Sequence, residues 1–246
     1  MIKLIRQTLF PPKVVDGGRM SLELLNDIFE QLTFEERLRK LYNYFDEDEI
    51  LVTSSFGTQS VFLLHLIHKI RPTQKIYFID TTFHFEETLA YKKQLVEQYN
   101  LQVVDIRPPE AENRLTREEA WWKDHPRMCC TINKVAPLEP IKAQHKIWVS
   151  GLMAYQTPFR ATLDIFAQQG DIIKFHPLID IDEGEFLFYL DKYKLPRHPL
   201  EAKGYGSVGC AHCTKPAAGR EGRWAGTKKT ECGLHPGFFN RKKKKG

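Results

Sequence analysis

Residues 50–70 read ILVTSSFGTQSVFLLHLIHKI, and the fold turns on how this stretch is divided. Ile50-Leu51-Val52 is a short apolar run that reads as a buried strand. Val61 to Ile70 is an apolar helix that ends before Arg71-Pro72. Between them lies TSSFGTQS, residues 53–60. Hydroxyls, one glycine and backbone N–H groups at a strand-to-helix turn suit an anion. No Gly-Lys-Ser/Thr closes the loop, so it is not a Walker A loop. In an open parallel sheet such a turn lies at the carboxyl ends of the strands, where ligands bind.

The flanking sequence repeats the alternation. Lys75 to Ile79 is a second strand, closed by Asp80-Thr81-Thr82. Glu86 to Tyr99 is helical, with Leu89, Lys93, Val96 and Tyr99 spaced by three or four. Gln102 to Ile106 is a third strand, Lys146 to Ser150 a fourth and Ile172 to Phe175 a fifth. Short helices are expected over Leu115–Trp122 and over Ile132–Gln144, where Pro137 and Pro140 limit regularity. Glu183 to Tyr193 is amphipathic. Strands alternating with helices argue for an α/β fold with a mostly parallel sheet and flanking helices. Upstream, Ser21 caps a helix carrying Leu22, Leu25 and Phe29. A second helix over Thr33–Phe45 opens with a capping-box pair, Thr33 and Glu36. Residues 1–20, with Pro11-Pro12 and Gly17-Gly18, read as an arm. Beyond Leu195 the chain becomes loop-rich through Pro196, Pro199, Gly204, Gly206 and Gly209, the mark of an active-site extension rather than a second core.

At 246 residues, 42% hydrophobic, the chain can build one large core. No run of eighteen apolar residues suggests a membrane span. The first residues lack the apolar centre and cleavage site of a signal peptide, so a cytoplasmic location is expected. The net charge of +5 is compatible with an anionic substrate, but the final RKKKKG supplies five of the positive charges. That tail reads as solvated. No basic face interleaved with aromatics points to nucleic acid.

Five cysteines in a chain of this kind suggest metal binding or catalysis rather than structural disulfides. They divide into Cys129-Cys130, Cys210 with Cys213, and a lone Cys232. Four thiolates can hold one centre, which leaves Cys232 for chemistry. Zinc ligands usually stand two to four residues apart, and an adjacent pair fits that poorly. An iron–sulfur cluster, with one thiolate per iron, accommodates it better. Zinc and a vicinal disulfide rank below it. Lys134 follows Cys130 by four and shares its helix face. Lys228, Lys229 and His235 flank Cys232 in KKTECGLH and favour a thiolate, with Glu231 acting the other way. Arg220 and Arg223, three apart in GREGRW, carry forks suited to phosphate or sulfate oxygens.

KTECGLH, GCAHC, GREGRW, CCTINKVAPL and IDTTFHFEET together resemble the sulfonucleotide reductases, in particular their iron–sulfur branch, the assimilatory adenylyl-sulfate (APS) reductases. The resemblance runs from about Ile50 to His235 and implies the adenine-nucleotide α-hydrolase-like fold. It divides the chain into an N-terminal helical arm (1–48), a nucleotide-binding α/β domain (49–208) and a catalytic extension with a basic tail (209–246). By this resemblance, Ser54, Ser55, Phe56, Gly57, Thr58, Gln59 and Ser60 bind the nucleotide with Asp80, Thr81, Arg160, Arg220 and Arg223. Cys232, Lys134 and His235 are catalytic, and Cys129, Cys130, Cys210 and Cys213 hold a [4Fe–4S] cluster. The chemistry implied is reduction of APS to sulfite and AMP through an S-sulfocysteine on Cys232, with thioredoxin or a similar dithiol as partner. A homo-oligomer is left open. The loop SSFGTQ resembles that of enzymes reducing the 3′-phosphorylated nucleotide (PAPS) equally well, so a PAPS or dual reductase is the alternative. Met153 stands where the family usually has arginine. A pyrophosphatase or sulfurtransferase of the same fold would call for an SGGxDS loop, which Phe56 and Gln59 fit badly.

Overall fold

The computed structural model describes residues 21–227, 229 and 231–234. The expectations for the arm at 1–20, for Lys228, for His235 and for the lysine tail lie outside the described residues.

Six strands form one sheet: β1 (Ile50–Thr53), β2 (Lys75–Ile79), β3 (Gln102–Ile106), β4 (Ile147–Val149), β5 (Phe166–Gln169) and β6 (Ile172–Phe175), in the order β3-β2-β1-β4-β6-β5. All pairings are parallel except β5 with β6. The chain builds outward from β1 through β2 to β3, then returns to lay β4 on the other side of β1. The strand order therefore reverses at β1, and the loop leaving β1 opens into that crevice. Helix α3 (Val61–Ile70) carries the chain away, buried along most of its length.

Helices α1 (Leu22–Glu30) and α2 (Phe34–Tyr44) belong to the same core as the sheet. Phe29, Leu38 and Leu41 are fully buried. Phe29 meets Phe166 edge-on at 4.7 Å and Phe175 at 5.7 Å. Their caps are those expected: Ser21 Oγ accepts from Leu24 N–H, and Thr33 and Glu36 close a reciprocal capping box. Arg37 is buried among carbonyls and forks Asp180 at 2.5 and 2.6 Å.

Three elements depart from expectation. The helix placed at 115–122 is instead α5 (Glu110–Glu118), followed by α6 (Trp121–Asp124). Pro109 and the acidic residues Glu110 and Glu112 suit a helix start, and Ala120 at φ +50° breaks the run. The helix placed at 132–144 begins earlier, as α7 (Pro126–Cys130), passes through a π-helical turn at Thr131–Val135 and continues as α8 (Ala136–Lys142). Pro137 has no N–H to donate to the carbonyl of Asn133, and the wider turn falls at that gap. Strand β5 was not expected, because FAQQ lacks alternation. Gly170 at φ +63° turns it back onto β6, and Asn26 bonds both backbone groups of Phe166 on its outer side. The remaining helices, α4 (Glu86–Tyr99) and α9 (Glu183–Lys192), lie where the periodicity puts them.

Candidate active site

The loop after β1 is held by its own side chains and by the C-terminal extension. Phe56 sits at φ +48°, its N–H on Ser54 Oγ at 3.1 Å. Ser60 Oγ donates to Gly57 O at 2.7 Å. Thr58 Oγ1 donates to Gly206 O at 3.1 Å, and a Cβ on Gly57 would stand 3.1 Å from Val208 O. The absence of that Cβ lets the two backbones run in contact. They form two walls of a cleft lined also by Lys134, Trp148, Arg220, Arg223, Trp224 and Cys232. Ser54, Ser55, Gly57, Thr58, Gln59 and Ser60 all line it. Phe56 does not: its ring is fully buried against Phe78 at 5.6 Å. A left-handed backbone turns this side chain into the core, so its expected contact with a ligand is corrected to a core contact.

Asp80 and Thr81 also stand outside the cleft lining. Asp80 caps its own turn through Thr82 N–H and is gripped by Arg107 Nε at 2.9 Å. Thr81 is fully buried, with Oγ1 3.5 Å from Cys210 Sγ. They brace the turn after β2.

Two arginines define the far wall. Arg223 donates to Val208 O at 2.9 Å, and a Cβ on Gly209 would lie 2.1 Å from its guanidinium. Arg220 is held beside Glu231 at 3.3 Å. Burial, with Arg160 close by, lowers the pKa of Arg220 to about 10, still cationic at neutral pH. The Nε groups of both arginines are buried with no partner among the described residues. Buried donors without acceptors are costly.

Cys129, Cys130, Cys210 and Cys213 line a second, smaller cavity, roofed by Phe83, Trp122 and Trp224. All four are free thiols. Among the described residues no group of three or more His, Cys, Asp or Glu is arranged to hold a single metal ion. Burial and the other three sulfurs push Cys129 up to about 12; burial and Cys210 push Cys213 up to about 11. Burial also acts against a Cys210 thiolate, yet Lys134 and Thr81 hold that thiol below its usual range. Lys134 lines both cavities. Burial opposes its charge, but Cys210, Cys130 and Cys232 outweigh burial and raise its pKa. Lys134 lies in the π-helical turn.

Lys229 was expected beside Cys232. Its ammonium instead donates to Cys130 Sγ at 2.8 Å and Pro126 O at 3.2 Å. Cys232 lines the nucleotide cleft. Arg160, expected on a ligand, forks Glu231 at 2.9 and 2.8 Å deep in the protein.

Sequence reasoning missed three groups. Asn133 is 1% exposed and donates to Cys129 O at 2.9 Å and toward its Sγ at 3.6 Å. Asn113 ties Asn133 to Thr81 O. Lys174, in β6, is fully buried, with Nζ 3.8 Å over Trp148 and 2.9 Å from Leu234 O. A lysine within the otherwise apolar run IIKF was the only available signal.

A model of the phosphoadenosine phosphosulfate reductase domain matches residues 49–216. The adenosine 5′-phosphosulfate reductase of Bacillus mycoides is 39% identical over 203 residues, 79% of this chain and 86% of that protein. That of Bacillus cereus strain 03BB102 is 38% identical over 198 residues, covering 77% and 85%. Among solved structures, the phosphoadenylyl-sulfate reductase of Candida auris matches with a TM-score of 0.71 at 22% identity, over 82% of this chain and 99% of that one. An FMN adenylyltransferase of Candida glabrata matches at 0.54 and 17%, over 82% and 69%. These two likenesses speak to the fold, which is adenine-nucleotide α-hydrolase-like. With 168 residues matched by one family model and relatives aligned over most of its length, the chain belongs to the phosphoadenosine phosphosulfate reductase family, oxidoreductases acting on a sulfur group.

Proposed function

We propose that the protein reduces adenosine 5′-phosphosulfate to sulfite and AMP, with Cys232 as nucleophile. The observation that carries this is the shared cleft: Cys232 lines it together with the β1 loop, Lys134, Arg220 and Arg223. The loop and the start of α3 would hold the nucleotide phosphate. Arg220 and Arg223 would take the sulfonate oxygens. The Cys232 thiolate attacks the sulfonyl sulfur, and the S–O bond to AMP breaks with its electron pair on the phosphate oxygen. Cys232 then carries an S-sulfonate. A reduced dithiol protein of the thioredoxin type attacks the Cys232 sulfur, and sulfite leaves with the S–S electron pair. The second thiol of the reductant displaces Cys232 and completes a disulfide. His235 would complete the catalytic set from the adjoining segment.

Cys129, Cys130, Cys210 and Cys213 would hold a [4Fe–4S] cluster. Their chemistry suits it: four thiols line one cavity, and Lys134 and Lys229 supply countercharge. When bound, the cluster supplies a fixed, delocalised charge beside the cleft. Lys134 faces both cavities and would carry positive charge toward the sulfonate.

APS is favoured over PAPS by the names of the relatives and by the loops themselves. Residues 53–60 and 79–88 contain no Lys or Arg, and a 3′-phosphate without a cation would cost roughly 1.5–3 kcal/mol. The test is anaerobic sulfite release with thioredoxin and each nucleotide in turn. We expect the higher kcat/KM with APS, and no covalent adduct by intact mass in Cys232→Ser. An adduct surviving in that variant would discard Cys232; equal or better use of PAPS would discard the substrate assignment alone.

A further inference from the structure

The C-terminal extension meets the thiol cavity three times before it reaches Cys232. Cys210 and Cys213 supply two of the sulfurs that line it. Trp224, whose N–H donates to Cys213 O at 2.8 Å, lines both this cavity and the nucleotide cleft. Lys229 makes the third contact. Its ammonium lies 2.8 Å from Cys130 Sγ, 3.2 Å from Pro126 O and 5.1 Å from the centre of the Trp224 ring. Cys130 and Pro126 belong to α7, 99 and 103 positions earlier in the chain. Three residues past Lys229 stands Cys232, in the cleft. Glu231, between them, pairs with Arg160 and Arg220. Residues 229–232 are thus held at one end by the thiol cavity and at the other by the cleft.

The two acceptors of Lys229 differ in kind. The Pro126 carbonyl is the same acceptor whether the cavity is loaded or empty. Cys130 Sγ is not. Ligation to iron fixes the sulfur in place and leaves negative charge on it, whereas a free thiol rotates and is a weak acceptor. A hydrogen bond to a charged acceptor is about twice as strong as one to a neutral group. Three residues of extended chain span about 10 Å, so a fixed Lys229 limits how far Cys232 can travel.

We propose that Lys229 is a tether coupling the thiol cavity to the nucleophile: a loaded cavity holds Lys229 on Cys130 and keeps Cys232 seated, and an emptied one loosens both. Lys229 is then a positioning residue, and loss of the cluster acts on Cys232 through the chain. The coupling rests on the cluster assignment proposed above.

The experiment compares the full chain with Lys229→Met and the conservative Lys229→Arg, each purified anaerobically and each also stripped of iron by a chelator. The readout is the rate at which iodoacetamide alkylates Cys232 without nucleotide, followed by peptide mass mapping, with iron content measured alongside. Coupling between two sites is typically about 5–150-fold, and release of one hold out of two belongs near the low end, so stripping iron from the parent should speed alkylation about tenfold. Loaded Lys229→Met should already react at about the rate of the stripped parent, and stripping it should change that rate less than about twofold. Lys229→Arg keeps the charge and should keep most of the coupling. Loaded Lys229→Met reacting at the parental rate refutes the tether. A slower rate also refutes it, because a lysine that acts by activating the Cys232 thiolate gives that sign when removed. Equal acceleration on stripping the parent and Lys229→Met refutes it too, since the cavity then acts on Cys232 by another path. If the anaerobic parent carries no iron, the cluster assignment fails and the coupling fails with it, an outcome the iron content alone identifies.

Discussion

Replacing Lys174 by methionine should make the protein more stable, and the pH dependence of the gain identifies its cause. Lys174 is fully buried in β6. Burial lowers its pKa from 10.5 to about 7, against an attraction from Cys232. In the unfolded chain the amine stays protonated up to its ordinary value. Between about pH 7 and 10.5 the unfolded state therefore binds one proton more than the native state, and stability rises with pH through that window. Above the window both states are neutral and the cost vanishes; below it both are charged and the cost is full. A difference of about 3.5 pKa units at about 1.4 kcal/mol each puts the full cost on the order of 5 kcal/mol. Methionine has similar reach and no charge. The variant loses the contacts with Leu234 O and Trp148, which offset the curve without changing its slope. The assay is urea unfolding of both proteins at about pH 7, 8 and 9, read as a difference so that all other groups cancel. The parent should gain about 1 kcal/mol per pH unit on the variant. Two parallel curves would mean that Lys174 keeps its ordinary pKa in the folded protein, and the burial argument would fall.

Two further perturbations test the site. Lys134→Ala removes the cation between the cleft and the thiol cavity; turnover should fall on the order of 100-fold, as when one preorganised donor is lost, with iron content near that of the parent. Unchanged turnover would make it an ordinary lysine. Gly206→Ala places a Cβ 2.5 Å from Gly219 N and 2.8 Å from its carbonyl oxygen, so the extension must shift; we expect about 1–3 kcal/mol of destabilisation by urea unfolding, and a loss below about 0.5 kcal/mol would show that this packing yields easily.

Much of the fold was legible because it is locally encoded. The strand at Ile50, the helices from Val61 and Glu86, and the caps at Ser21 and Thr33 follow from periodicity and hydrogen bonds spanning a few residues. The grouping of the cysteines into two pairs and a singleton was likewise visible, since spacing is a property of the chain. The position of each charge was not. Lys229 lies three residues from Cys232 in sequence, yet its ammonium meets Cys130, 99 positions away. Arg160 has the chemistry of an anion ligand, and its anion is Glu231, 71 residues on. Phe56 sits inside the nucleotide loop and points into the core, because one left-handed residue reverses its side chain. Asn133, inside CCTINKVAPL, was assigned no role and Lys174 carried no motif, and they are buried against Cys129 and Leu234. Local sequence determines which elements form and which residue types are available. Which cation meets which anion depends on how separate elements pack, and burial decides it, because a buried charge must find its partner within the fold.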